Sequence, residues 1–295
     1  MIQYLYLGRV AYEDGLRLQS EIATSVAEGR LHNVLLLLEH PHVLTLGRNA
    51  NRANVLMSNE LLAARGISLH EINRGGDVTY HGPGQLVGYP IFDLRTLNNP
   101  NGGRMGPVDF VRGMEEVLIR VCAAYGVQAG RVPGLTGVWC GATDVVSGQG
   151  SETGGQGLAT EGLGAEKHSA KSERKIAAIG IHVAKGITSH GFAFNVTTDL
   201  RQFQMIVPCG IANHGVTSLA EEIREPQVLP PLETVAHQAA RQFGLVFDQQ
   251  ILAADSVEAL RANSASRQFP AEDTPLRTPA EVERLSGARE QPVRA

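Results

Sequence analysis

Hydrophobic positions fall along this chain in short strand-like runs and longer stretches with a helical repeat. Residues 3–10 predict a first strand, and over 11–29 the spacing of Leu16, Leu18, Ile22 and Val26 predicts an amphipathic helix. A strand follows over 33–39, and its continuous Val34-Leu35-Leu36-Leu37-Leu38 suits burial on both faces. That run is far too short to span a bilayer. A short strand ends at Gly47, a short helix over 58–65 stops at Gly66, and a strand over 67–72 leads into a glycine-rich segment. Leu86 to Phe92 reads as the next strand. Pro107 takes the first position of a helix reaching Tyr125, whose stripe Phe110, Val111, Met114, Val117, Leu118, Val121 and Cys122 is closed by Gly126. Cys122 is most simply a core residue there.

The pattern lapses after Val138-Trp139-Cys140. From 141 to 173 there is no aromatic residue, and glycine, serine, threonine and charged residues fill the stretch. Such a composition cannot bury enough apolar area to offset the roughly 1–2 kcal/mol per residue of backbone ordering, so a flexible insertion is expected. Order resumes with a strand over 175–183, a turn near Lys185-Gly186 and a returning strand over 190–196, a long hairpin. Ser218 with Glu221 three residues on predicts a capping box opening a short helix. Pro226, Pro230 and Pro231 lead to a helix over 232–243. Asp255 with Glu258, and Thr278-Pro279-Ala280-Glu281, suggest two further short helices in an otherwise polar tail. No internal repeat is visible. The expected organisation is one mixed α/β domain over 1–250, interrupted at about 141–173, with a loosely packed extension over 251–295.

Composition narrows the class. A chain of 295 residues with 43% hydrophobic content can bury a full core. Its net charge of −4 gives no reason to expect nucleic acid or a membrane surface as partner. The start, Met1-Ile2-Gln3-Tyr4-Leu5, lacks a basic region, and Glu13, Asp14 and Arg17 follow too soon for a signal peptide, which makes the cytoplasm the expected location. Three well-separated cysteines, Cys122, Cys140 and Cys209, suit a reducing compartment.

Chemistry concentrates in two places. Arg74-Gly75-Gly76-Asp77-Val78-Thr79-Tyr80-His81-Gly82-Pro83-Gly84-Gln85-Leu86 is a loop whose backbone must approach something closely, and its polar side chains exceed what a plain turn needs. Cys209 stands between Pro208 and Gly210, presented on a bend. A free thiol is only a few per cent thiolate at neutral pH, so a nucleophilic Cys209 needs activation. Lys175, at the entry of an apolar strand, is a candidate source of the charge. Both keep a plain alternative: free cysteine is among the most buried residue types, and a lysine at a strand end is ordinarily a solvated charge. His40, His42, His81, His182, His190 and His214 show no metal-binding spacing, and no phosphate-binding glycine motif or nucleophile elbow occurs. Neither metal nor cofactor is expected.

With Glu39-His40-Pro41-His42-Val43-Leu44-Thr45-Leu46-Gly47, Lys175-Ile176-Ala177-Ala178-Ile179-Gly180 and Pro208-Cys209-Gly210-Ile211, the glycine-rich segment resembles the lipoyl(octanoyl) transferase family from about Tyr4 to Leu219. The resemblance implies a biotin/lipoate-protein-ligase-like α/β fold. It also implies an enzyme moving an octanoyl or lipoyl group from acyl carrier protein to a lysine of lipoyl domains, those of 2-oxoacid dehydrogenase E2 subunits and of the glycine cleavage H protein. Cys209 would hold the acyl group as a thioester and Lys175 would activate it. Substrate-binding residues would be Arg74, Gly75, Gly76, Asp77, Val78, Thr79, Tyr80, His81, Ala178, Ile179, Gly180, Gly191, Phe192 and Ala193, with Ile179, Phe192 and Val78 shaping an acyl slot. A monomer is expected. Carrier proteins are acidic, so Arg48, Arg52 and Arg74 are candidates for a docking patch. The insertion and the tail after Leu245 depart from the family core. The alternatives are an ATP-dependent lipoate or biotin ligase, which shares the fold and needs no cysteine, and a non-catalytic module with an acyl pocket.

Overall fold

The computed structural model describes residues 1–100, 102–141, 173–207, 215–223 and 228–262. Among them the chain forms a mixed sheet of nine strands, with helices on both faces, and a separate sheet of three. Strand β1 (Ile2–Arg9) pairs in parallel with β2 (Asn33–Glu39), and helix α1 (Tyr12–Ala27) connects them. The antiparallel part of the large sheet continues from β2 through β6 (Gln85–Ile91), β10 (Ile187–Asn195), β9 (Arg174–Ala184) and β8 (Leu135–Cys140) to β7 (Ala129–Val132). Strand β11 (Gly215–Val216) adds in parallel to β9, and the small sheet sets β3 (Val43–Leu46) between β4 (Ser68–Glu71) and β5 (Val78–His81).

Alternation along β2 and β6 explains the two cores. Leu35 and Leu37 of β2 join Leu86 and Phe92 beneath helices α3 (Pro107–Ala124) and α5 (Leu232–Val246). Val34, Leu36 and Leu38 point the other way, with Val87, Tyr89 and Ile91, toward Ile22 and Val26 of α1. A third cluster, around Leu44, Val78 and Tyr80, lies under the small sheet. Helix boundaries follow local chemistry. Ser58 accepts from Leu61 N and caps α2 (Asn59–Ala64), and Ser218 accepts from Glu221 N and caps α4 (Leu219–Glu222).

Three expectations change. Val78 to His81, expected within the loop, is a strand because Thr79 and His81 pair back onto β3, and β7 was not foreseen. The buried arc of α1 is Tyr12, Gly15, Gln19, Ile22 and Val26, with Leu16 and Leu18 only half-buried at its flanks. For residues 251–262 a loosely packed extension does not hold. Strand β12 (Ile251–Ala253) adds in parallel to β1, and helix α6 (Val257–Ala262) buries Leu260 completely against Ile22 and Leu31. The insertion, apart from Gly141 and Glu173, lies outside the described residues, and so does the helix expected near 278–281. No helix among the described residues is long and apolar enough to cross a membrane.

Candidate active site

The face of the large sheet that carries Val87 and Tyr89 is covered by α1 over part of its width. Beyond the start of α1 the cover is the segment Ile72 to Thr79, and between the two lies a cavity of about 410 Å³. Its walls come from that segment, from Ala178, Ile179 and Gly180 of β9, from Gly191, Phe192 and Ala193 of β10, from Gly134 of the turn between β7 and β8, and from Leu135 and Thr136 at the start of β8. Lys175 borders the cavity at the entry of β9.

Arg74 organises the covering segment. Its buried guanidinium donates through Nη2 to Thr45 O and Thr45 Oγ1, each at 2.9 Å, and through Nη1 to Gly75 O at 3.0 Å. Gly75 N–H donates to Ile181 O at 3.0 Å, drawing the loop onto β9. Asp77 accepts from Asn51 N at 3.1 Å and Asn54 Nδ2 at 2.5 Å, which ties the same loop to the chain following β3. A glycine-rich loop thus becomes a fixed wall through hydrogen bonds at both ends.

Tyr12, His81, Tyr89 and His190 line one end, with His40 behind Tyr89. His40 Nδ1 donates to Val10 O at 2.7 Å, so Nε2 accepts from Tyr89 OH at 2.6 Å. Gln85 Nε2 donates to Tyr80 O and to Asn195 Oδ1, which leaves Gln85 Oε1 to accept from His81 Nδ1 at 2.8 Å. His81 Nε2 therefore carries the lone pair. His190 Nε2 meets Asn73 Oδ1 at 2.6 Å. Burial lowers His40 and His190 to about 4 and His81 to about 3, and it pushes Tyr12 up to about 12. At neutral pH this end is polar without charge on its rings.

Of the expected site residues, Arg74, Gly76, Asp77, Val78, Thr79, His81, Ala178, Ile179, Gly180, Gly191, Phe192 and Ala193 border the cavity, as Lys175 does. But Ile179 and Phe192, expected to shape the acyl slot, turn their side chains the other way into the core under α3 and α5, where the Phe192 ring stacks on Phe243. Tyr80 and Gly75 do not border the cavity. Tyr80 turns into the small-sheet core, its hydroxyl 2.6 Å from His42 Nδ1 and its ring edge-on to Phe203. Gly75 serves the wall through its backbone. Burial also takes Arg74 out of a surface patch, while Arg48 and Arg52 are exposed. Tyr12, Tyr89 and the β7–β8 turn were missed. For Tyr12 the signal was an aromatic ring on the arc 12, 15, 19, 22, 26.

Lys175 is buried and held from both sides: β8 pairs on one edge, and on the other Thr217 N donates to Lys175 O at 3.0 Å. Cys209 lies outside the described residues. The described chain ends at Val207, whose N–H donates to Asn54 O at 2.8 Å, and resumes at Gly215, paired with Arg174 and followed by Val216 opposite Lys175. Burial pushes the other two thiols up, Cys140 to about 12 and Cys122 well above its ordinary value, so neither is an activated nucleophile. Among the described residues no group of three His, Cys, Asp or Glu is placed to hold a metal ion.

A model of the lipoyl protein ligase A/B catalytic domain matches residues 11–244. An octanoyltransferase of Acidobacterium capsulatum is 53% identical over 253 residues, covering 85% of this chain and 92% of that protein. One of Koribacter versatilis is 43% identical over 285 residues, 97% of each. Among solved structures, a bipartite lipoate protein ligase of Thermoplasma acidophilum shares the fold with a TM-score of 0.60 at 16% identity, covering 89% of this chain and 90% of that one. A lipoate-protein ligase A bound with ATP gives 0.58 at 16% identity, covering 89% and 92%.

Proposed function

This chain belongs to the octanoyltransferases of the lipoyl protein ligase A/B catalytic family, and from that premise we propose that it takes an octanoyl or lipoyl group from an acyl carrier protein thioester and passes it to a lysine of a lipoyl domain. The observation that carries the reading is the placement of Lys175. Its side chain borders the cavity, and its backbone pairs with the strand into which the chain returns after Cys209.

The chemistry is two exchanges at one sulfur. The Cys209 thiolate attacks the carrier thioester carbonyl, a new C–S bond forms, and the carrier thiolate leaves with a proton from the Lys175 ammonium. The acceptor amine then attacks the Cys209 thioester, the C–N bond forms, the C–S bond breaks, and neutral Lys175 takes the amine proton. Thiolate and ammonium are both restored. Between the steps the acyl chain lies against Val87, Ala178 and Ala193 under the Arg74 to Thr79 wall, which keeps water from the stored thioester. Backbone N–H groups of the Arg74 to Thr79 wall other than that of Gly75 would stabilise the oxyanion.

Intact-protein mass spectrometry after mixing with octanoyl carrier protein tests this. The expected result is a gain of one octanoyl group, removed by hydroxylamine and absent in Cys209→Ser. Free octanoate with ATP is expected to give no adduct. Transfer at full rate by Cys209→Ser would sink the proposal.

A further inference from the structure

We propose that Trp139 is a positioning residue for this transfer, holding the Lys175 ammonium over its indole face at the cavity wall; the inference rests on the acyl-transfer reading above. Lys175 Nζ stands 4.5 Å from the centroid of the Trp139 ring. A π face attracts an ammonium through its quadrupole, and indole does so most strongly.

The contact depends on a break in strand register. Val138 lies opposite Ala177, but Trp139 lies opposite Lys175, so Ile176 is the extra residue of a bulge in β9. As a result Ile176 and Ala177, neighbours in sequence, both enter the core under α3 and α5 together with Val138 and Cys140. Lys175 is thereby turned to the opposite face, where strand alternation also puts Trp139. A regular ladder would set Trp139 against Ile176.

The bulge is held in place. Gly137 has φ +119°, a conformation that L side chains rarely adopt. A Cβ there would stand 2.6 Å from Ala177 O and 3.5 Å from Lys175 Cε. Gly137 N–H donates to Glu115 Oε1 at 3.0 Å, and Glu115 Oε2 accepts from Arg112 at 2.7 Å and Arg131 at 3.1 Å. With Thr217 N–H on the far edge of β9, the backbone of Lys175 is fixed where its stem leaves the strand toward the indole. The indole face then bounds the ammonium on one side.

Trp139→Phe and Trp139→Leu, read by transfer kinetics, thermal unfolding and NMR of lysine labelled with carbon-13 at Cε, test the proposal. The chain has four lysines, so the Lys175 resonance is assigned by Lys175→Met. Its Hε protons are expected upfield from indole ring current in the native chain and close to ordinary values in Trp139→Leu. Adduct formation is expected to slow by about tenfold in Trp139→Leu and less in Trp139→Phe, in kcat and not in KM for the carrier. Unshifted Hε protons in the native chain, or equal rates in two folded variants, overturn it. Full transfer by Lys175→Met would instead defeat the acyl-transfer reading, leaving the ring-current result to report the contact alone. If Trp139→Leu does not fold, the native spectrum and Trp139→Phe decide.

Discussion

At Gly180 the backbone of β9 and the loop that covers the cavity lie too close to admit a side chain. A Cβ at this position would stand 2.7 Å from Gly75 O and 3.3 Å from Arg74 Cδ, and Gly75 N–H is already committed to Ile181 O. The added methyl of Gly180→Ala has no flexible side-chain end to displace, so the Arg74 to Gly76 wall must lift from the strand. Overpacking of this kind costs about 1–3 kcal/mol. Because the displaced wall lines the cavity, the expected outcome is a folded protein whose kcat/KM for octanoyl transfer drops by roughly tenfold to a hundredfold. Steady-state kinetics beside a thermal melt checks it, and unchanged kcat/KM would show that the wall yields without consequence. The same residue shows what a sequence discloses. The motif containing Gly180 was legible as chemistry, while the partner that makes glycine necessary is 105 positions earlier, at Gly75, and no periodicity connects them.

Elements were legible in proportion to how local their causes are. The amphipathic stripe of α3, the cap at Ser218 and the hairpin of β9 and β10 follow from residues a few positions apart, and the structure has all three. β5 follows from pairing with β3 across a long connection and was not legible, and β7, though it pairs with the adjacent β8, was missed because Ala129-Gly130-Arg131-Val132 carries no alternating apolar pattern. Glu115 shows the limit within a single helix. It sits on the apolar arc beside Met114 and Leu118, fully buried, and a carboxylate in that position signals a buried partner. Its partners, Gly137 N–H and the guanidiniums of Arg112 and Arg131, join α3 to the β7–β8 hairpin. Glu115→Leu leaves the buried Gly137 N–H without its acceptor, while Arg131 keeps Glu116 and both half-exposed guanidiniums return to water, at a cost of about 1–3 kcal/mol. Glu115→Gln keeps an acceptor for Gly137 and is expected to lose less. Urea unfolding at pH 7 should rank the wild type above Glu115→Gln and that above Glu115→Leu. The reverse order for the two variants would mean that the carboxylate carries no structural role here.

The whole molecule closes around neutral histidines. Tyr12 brings α1 against His40 at the end of β2, and its ring also meets His70 and His81 of the small sheet. His190 of β10 receives Gln19 of α1 at its backbone N–H and meets Asn73 at its ring. Three layers of the fold thus meet at these side chains, and burial opposes protonation of His40, His81 and His190. His40 and His190 lie at about 4 and His81 at about 3 in the folded chain, against about 6.5 when unfolded. Between those values the unfolded chain binds more protons, so stability is full above pH 6.5 and falls as the pH drops toward 4. Each such histidine contributes up to about 1.4 kcal/mol per pH unit to that fall. His190→Asn isolates one of them, because asparagine tolerates the φ of +57° found at this position. Losing the ring contact with Asn73 lowers stability at every pH, so the level is no test and the slope is. Urea midpoints measured between pH 7 and 5 are expected to decline less steeply in His190→Asn than in the wild type, by about one proton. Equal slopes would mean that His190 does not titrate between folded and unfolded states, and the fold would then owe its acid sensitivity to other groups.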